Sequence, residues 1–441
     1  MNKPSTLKCL VLGALTSSVG QAARADFIEG SHANLALRNL YFNNDYRDRP
    51  GPAGQSKTEE WAQGFMLNYT SGFTAGTLGF GVDALAFQGV TLNSGAGNHR
   101  GSSMIPDDGT GAADQWSRLG LTGKARLGST EARLGTLQPK LPILVSNDGR
   151  LLPQTFQGGQ VTSNDIDNLT LTAGRLDQAT GRASTDRTGL AVNGATRQSN
   201  DFVFAGADYK VTKDLIVQYY VANLEDYYTQ QFFGLQHVLA LGKGQSFKTD
   251  LRYFDTDSSG ANGSASGRAE GYRVGGYTRN SSGEIDNRTW SAMFTYTLGG
   301  HALTGGYQSV SDDSNFVQLN QGTLPGKGAA GSSVYLFTDR MLASFTRAGE
   351  RTRFGQYAYD FAALGVPGLR ASMVYLKGDD IKTAVGGDKG EWERDLALDY
   401  VIQDGTFKGV GFGWRYGALR SQIDPHQDQN RLIVSYTLSL F

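Results

Sequence analysis

The chain has 441 residues, 19% of them charged and 39% apolar, at a formal net charge of -1, with 59 Gly, 22 Phe and 20 Tyr. Soluble domains carry about 25% charge and about 7% Gly, so glycine is in excess and charge is short. The near-neutral balance excludes a strongly basic nucleic-acid binder; the absence of a long apolar run past residue 25 excludes a helical membrane protein, and an all-β reading remains.

In chain order, residues 1–25 read as a signal peptide. Lys3 and Lys8 form a positive region, Cys9 to Leu15 a short apolar stretch, and Ala23-Arg24-Ala25 an A-x-A cleavage site. The mature chain, residues 26–441, is expected to be one barrel domain that begins at Asp26 and lacks the only cysteine, Cys9. Further on, long loops rich in Gly, Ser, Asn and Asp are expected at Asn43 to Lys57, Gly89 to Asp114, Asp255 to Arg268 and Gln318 to Gly331. Between Leu137 and Ser163 the alternation fails. This stretch holds three of the ten prolines, Pro139, Pro142 and Pro153, and is expected to fold inward and narrow a pore, a surface loop being the alternative.

The strands that follow share one pattern. Leu215, Val217, Tyr219 and Val221 form an apolar row, and so do Phe247, Leu251 and Tyr253 against Lys248, Asp250 and Arg252. Trp290, Phe294, Tyr296 and Leu298, and later Val410, Phe412, Trp414 and Tyr416, repeat it. The last strand sets Leu432, Val434, Tyr436, Leu438 and Leu440 on one face and Arg431, Ser435 and Thr437 on the other, and the chain stops on Phe441. Period 2 with one apolar face marks a strand between two different media. These segments reach about 9 to 11 residues, which is what a tilted strand needs to cross the hydrocarbon layer. Short turns such as Lys210 to Asp214, Gly242 to Gln245, Gly299-Gly300 and Gln403 to Gly405 alternate with the long loops, as on the two rims of an outer-membrane barrel. A bilayer tolerates no open sheet edge. The expectation is therefore a closed transmembrane antiparallel β-barrel of roughly 16 to 20 strands around an aqueous lumen.

Little of this carries covalent chemistry. His32, His99, His237, His301 and His426 never stand at metal-ligand spacing, and no nucleophile or zinc motif occurs. No catalytic residue, metal or cofactor is expected. The informative charges are arginines at lumen parity. Arg415 stands among Gly411, Gly413 and Gly417, with room for a solute beside it, and Arg431 shares the lumen face of its strand. A guanidinium fork fits a carboxylate, so several along one wall would guide an anion, although any watery lumen carries charges of both signs.

Arg38-Asn-Leu-Tyr-Phe-Asn-Asn-Asp45, Trp61-Ala-Gln-Gly-Phe65, Gly79-Phe-Gly-Val-Asp83, Gly149-Arg-Leu-Leu-Pro-Gln-Thr155, Leu224-Glu-Asp226, Gly365-Val-Pro-Gly-Leu369 and Tyr400-Val-Ile-Gln-Asp404 resemble the OprD family of outer-membrane carboxylate channels. The resemblance runs in order from Asp26 to Phe441. It implies an 18-stranded barrel in the outer membrane of a Gram-negative bacterium, with a third extracellular loop folded into the lumen. It also implies a basic wall facing an acidic and polar constriction, and passive uptake of small carboxylates. The implied basic ladder is Arg38, Arg133, Arg394, Arg415 and Arg431, and the implied constriction is Arg150, Gln154, Thr155, Asp313 and Ser332. Relative to the members that take basic amino acids, Asn44, Gly413 and Ser332 stand where an Arg, an Arg and an Asp are found. Glu391-Trp-Glu-Arg394 resembles the OccK-type subgroup for benzoate-like and other aromatic or cyclic carboxylates. A basic amino-acid or dipeptide channel, and from another class a barrel hydrolase, are the alternatives. Implied partners are small organic carboxylates, outer-membrane lipid and lipopolysaccharide, and the barrel-assembly machinery, with the protein a monomer or weak trimer and no nucleic acid involved.

Overall fold

A computed structural model describes residues 27–441 except 52, 53, 110, 318 and 320–332. The proposed leader, Ser332 and nearly all of the Gln318 to Gly331 loop therefore lie outside the described residues. The strands in chain order are β1 (His32–Tyr46), β2 (Lys57–Thr70), β3 (Leu78–Asn93), β4 (Gln115–Leu127), β5 (Thr130–Leu137), β6 (Lys140–Leu141), β7 (Leu144–Val145), β8 (Thr155–Ile166), β9 (Leu169–Thr180) and β10 (Phe202–Thr212). They continue with β11 (Leu215–Leu224), β12 (Tyr228–Gly242), β13 (Gln245–Ser258), β14 (Asp286–Leu298), β15 (His301–Val310), β16 (Arg351–Asp360), β17 (Leu369–Ile381), β18 (Lys389–Val401), β19 (Gly411–Ser421) and β20 (Gln427–Ser439).

All but β6 and β7, a tiny hairpin of their own, join one 18-stranded sheet in which each strand pairs antiparallel with its sequence neighbours. The last strand returns to the first, in register from Asn34 with Ser439 to Tyr46 with Gln427. No edge is left, as a wall in hydrocarbon requires. Connections of two residues at 128–129, 167–168, 213–214, 243–244 and 299–300 lie on one rim, and the long loops lie on the other.

The two faces explain the alternation. Leu119, Leu121, Leu134, Phe233, Phe294, Phe412, Trp414 and Leu432 are exposed on the outside, where lipid covers them. The opposite parity is polar and buried, as at Asp250, Thr256, Thr289, Ser291 and Glu393. Hydrogen bonds along the wall, as from Gln230 to Thr256 and from Thr289 to Asn287, and from the inward loops, as to Glu393, satisfy such groups.

The non-alternating stretch is shorter than expected. Its strand resumes at Thr155 rather than after Ser163, and residues 138–154 form the loop proper. Two facing glycines disguise the root of that strand. Gly135 and Gly158 pair with each other, at φ 139° and 148°, beside a bulge between Gln157 and Gly158. A Cβ at Gly135 would lie 2.1 Å from the Leu121 carbonyl oxygen, and one at Gly158 would lie 2.2 Å from that of Arg175. Only glycine accepts this backbone, which bends the hairpin where the loop departs.

Candidate functional site

The loop 138–154 fills the lumen. Leu151 and Leu152, both fully buried, pack against Leu40, Phe42, Ala62, Met66, Phe87 and Trp116 of the first four strands. Farther out, Ile143 and Leu144 join an apolar cluster with Phe202, Phe204 and Tyr228. Apolar side chains on both arms therefore hold the loop across the channel, at about 25 cal/mol per Å² of apolar surface buried.

A second segment, residues 333–350 between β15 and β16, also lies inside. The guanidinium of Arg252 sits between the Tyr335 and Phe337 rings, 3.7 Å from each centroid, and donates to the Tyr335 carbonyl at 2.9 Å. Five strands farther round, the Glu393 carboxylate accepts the backbone N–H groups of Met341, Leu342 and Ala343 at 3.0, 3.1 and 2.7 Å.

Between the two loops lies a group of guanidinium cations. Arg431 donates to Gln429 Oε1 at 2.7 Å and to the Met341 carbonyl at 2.9 Å, and approaches the Gly149 carbonyl at 3.5 Å. It therefore touches both loops at once. Arg150 donates to the carbonyls of Ser102 and Gly149, both at 2.8 Å, and lies over the Phe42 ring. Arg182 donates to Asn147 Oδ1 at 2.8 Å. Among the described residues these three find neutral oxygens and no ion pair. Burial first and Arg182 second push Arg150 down to about 9, and burial with Arg431 pushes Arg182 down to about 10. Both stay protonated at neutral pH, so the crowding is a positive potential that an incoming anion relieves.

The basic lining continues away from the constriction along β4. Its inward parity carries Arg118, Lys124 and Arg126, while Leu119 and Leu121 face lipid. Arg118 holds the carbonyls of Pro153 and Gly181 at 2.9 and 3.0 Å. Lys124 pairs with Asp83 at 2.7 Å. On the short-turn side of the loop lies a cavity of about 590 Å³, lined by Arg126, Arg133, Lys140, Asp208 and Tyr335 among others.

The residues singled out in the sequence distribute unevenly. Arg415 and Arg431 are register partners on the inner wall. Arg415 is folded onto Asp399 at 2.6 Å, and a Cβ at Gly413 would stand 3.2 Å from that same carboxylate. Arg38 faces inward but is spent on the loop, donating to Asp148 and to the Arg150 carbonyl. Arg133 pairs with Glu131 beside the cavity. Gln154 is fully buried at the neck of the loop, donating its N–H to the Asn147 carbonyl at 2.8 Å, and Thr155 is buried at the start of β8, so both shape the loop rather than face a solute. Asn44 is buried in the β1–β20 seam with Gln427 and Gln429.

Two expectations are corrected. Arg394 is exposed on the parity of Trp392 and Leu398, the lipid face of β18, because Glu391, Glu393 and Asp395 take the inward positions. Asp313 lies beyond the end of β15, bound to Arg279 at 2.6 Å, where it ties two extracellular loops together instead of lining the constriction. Arg118, Arg126 and Arg182 were missed. The two on β4 stand at plain lumen parity in Trp116-Ser-Arg-Leu-Gly-Leu-Thr-Gly-Lys-Ala-Arg126, whereas Arg182 lies in a loop with no periodic signal.

Known proteins match this architecture along nearly its whole length. A family model described as outer membrane porin, OprD family, matches residues 25–440. The porin-like protein GalP of Pseudomonas putida is 36% identical over 435 residues, covering 97% of each chain. The crystal structure of Pseudomonas aeruginosa OccK8 (OprE) superposes with a TM-score of 0.86 at 52% identity, covering 95% of this chain and 100% of that one. Pseudomonas aeruginosa OpdK, solved with vanillate, gives a TM-score of 0.81 at 34% identity, covering 94% and 100%. With sequence and barrel agreeing from one end to the other, the chain belongs to the OprD family of outer-membrane porins.

Proposed function

We propose that this porin is a passive, saturable pathway for small organic carboxylates, foremost aromatic and cyclic acids of the benzoate type. The observation that carries this reading is the trio Arg150, Arg182 and Arg431, crowded where the two inward loops meet and bound only to neutral oxygens. A planar carboxylate can take two parallel hydrogen bonds from a guanidinium at that point, and the carbonyls released can be rehydrated by the lumen. The binding is then strong enough to saturate and weak enough to release, which is what conduction through a selective pore requires. Phe42, buried beneath both Arg150 and Arg431, holds the two cations over its ring and so helps to fix the site. The vanillate bound to the related OpdK is a small acid of this class.

The test is a liposome-swelling panel of benzoate, vanillate, arginine and a neutral sugar, paired with single-channel recording. Benzoate and vanillate are expected to enter fastest and to reduce the current at millimolar concentration. Arginine ranking first would reassign the pore to basic amino acids. A current indifferent to every carboxylate would make it a non-selective porin.

A further inference from the structure

The Glu393 carboxylate has a job that solute binding does not explain. It is fully buried on the inner wall, faces the next acid on its strand, Asp395, and makes no ion pair among the described residues. Besides its contact with Asp395 it accepts three consecutive backbone N–H groups, Met341 and Leu342 on Oε1 and Ala343 on Oε2. Successive N–H groups that converge in this way form an anion-binding nest. Here the accepting carboxyl belongs to the barrel wall and the nest to the inward loop. From the other side, Arg431 holds the carbonyl of the same Met341. Leu342 lies against the wall at Gly417, where a Cβ would stand 2.9 Å from Asp395 Oδ1 and 3.1 Å from Leu342 Cδ1. Segment 341–343 is thus drawn flat onto β18, β19 and β20, opposite Gly149 of the other loop, which Arg431 also approaches.

We propose that Glu393 is the positioning residue that keeps segment Met341–Ala343 against the wall and so sets the aperture between the two inward loops. It needs no contact with solute. The idea rests on the chain being a pore and not on the carboxylate reading, so its readout is the conductance of potassium chloride alone.

Two substitutions in the full-length, detergent-folded barrel test it. Glu393→Gln keeps the shape but turns an NH₂ donor toward an N–H, so at least one of the three bonds is lost. The expected result is a folded, heat-modifiable barrel whose open-channel current noise rises by about twofold or more, as a loosened loop moves in the microsecond-to-millisecond range. Glu393→Asp, one methylene short, is expected to fall in between. Gly417→Ala keeps the Glu393 side chain, sets a methyl against both Asp395 Oδ1 and Leu342 Cδ1, and by pushing Leu342 off the wall is expected to lower the mean conductance. Noise unchanged in Glu393→Gln would overturn the proposal. If that variant does not fold, Gly417→Ala decides: a conductance equal to that of the parent protein overturns the proposal, and a lowered one supports it. Loss of benzoate block with unchanged potassium chloride traces in all three variants would count against Glu393 and leave the carboxylate pathway standing.

Discussion

Arg38 on β1 grips Asp148 on the constriction loop through two parallel hydrogen bonds, Nη1 to Oδ1 at 2.7 Å and Nη2 to Oδ2 at 3.1 Å. The same guanidinium reaches the Arg150 carbonyl at 2.7 Å, so a residue of the wall fixes the loop at the place where it carries its own cation. Asp148 is half exposed, which limits the pair to about 1 kcal/mol or less of stability. The effect should therefore appear in the current before it appears in unfolding. Asp148→Asn is expected to leave urea unfolding unchanged and to raise single-channel conductance and its variance. An equal conductance would mean that the apolar anchors alone hold the loop.

Arg431 and Arg415 are neighbours across one register pair, yet they are not equally available. Arg415 is neutralised by Asp399, whereas Arg431 is bound only to neutral oxygens. A charge-assisted hydrogen bond is worth about 1.5 to 3 kcal/mol, and about 1.4 kcal/mol is tenfold in affinity. Arg431→Ala should raise the half-saturating benzoate concentration about tenfold or more. Arg415→Ala should raise it by less, because removing it also frees a carboxylate. Swelling rates against benzoate concentration give both numbers, and an Arg415 variant worse than the Arg431 variant would reverse the ranking.

The residue just before β16, Glu350, is fully buried, and its Oε1 has no hydrogen-bond partner among the described residues. Burial first and the Glu391 carboxylate second push its pKa well above the ordinary carboxylate range. The folded protein therefore keeps a proton that the unfolded chain gives up in that ordinary range. The proton's stabilisation is complete at low pH and is lost as pH rises toward the elevated folded value. Between pH 5 and pH 8 the unfolding midpoint of the parent protein should fall, and that of Glu350→Gln should fall less. Parallel slopes for the two proteins would assign the trend to other groups.

Leu121 lies mid-strand on β4, 58% exposed. In a water-soluble protein, replacing so exposed a leucine by arginine would cost little. Here Leu121→Arg should destabilise the barrel by about 2 to 4 kcal/mol in vesicles, as a charge at the bilayer midplane does. Reversible urea unfolding in lipid measures the difference. A cost below about 0.5 kcal/mol would place that face in water.

Where alternation is strict, the sequence told inside from outside without error. Trp414 and Arg415 fall as their parity requires, and on β4 the same rule assigns Arg118, Lys124 and Arg126 to the lumen. Arg394 shows what happens when a motif is preferred to that rule. Trp392 and Leu398, on either side of it in its own strand, already placed it toward lipid. Asp313, Gln154 and Arg182 lie in or beside loops, where side-chain direction comes from packing between distant segments and no period of 2 operates. The glycine pair Gly135 and Gly158 hid the start of β8 for a related reason. A residue without a side chain gives no parity, and a bulge shifts the count by one. Glu393 was legible as an inward acid, but its use depends on three amide groups some fifty residues earlier in the chain, which only the folded molecule brings to it.

The seam between β1 and β20 also governs how the molecule is made. Its two halves are the first and last strands to be synthesised, and until they meet, a row of unsatisfied backbone donors and acceptors runs down each margin of an otherwise finished wall. Loop-closure entropy is largest for this final junction, and an unpaired margin is in the meantime open to pairing with the same margin of another nascent copy. Assembly is thus closer to fastening a clasp than to a gradual collapse, and a chain interrupted before Arg431 would lack the clasp and a central cation of the pore together.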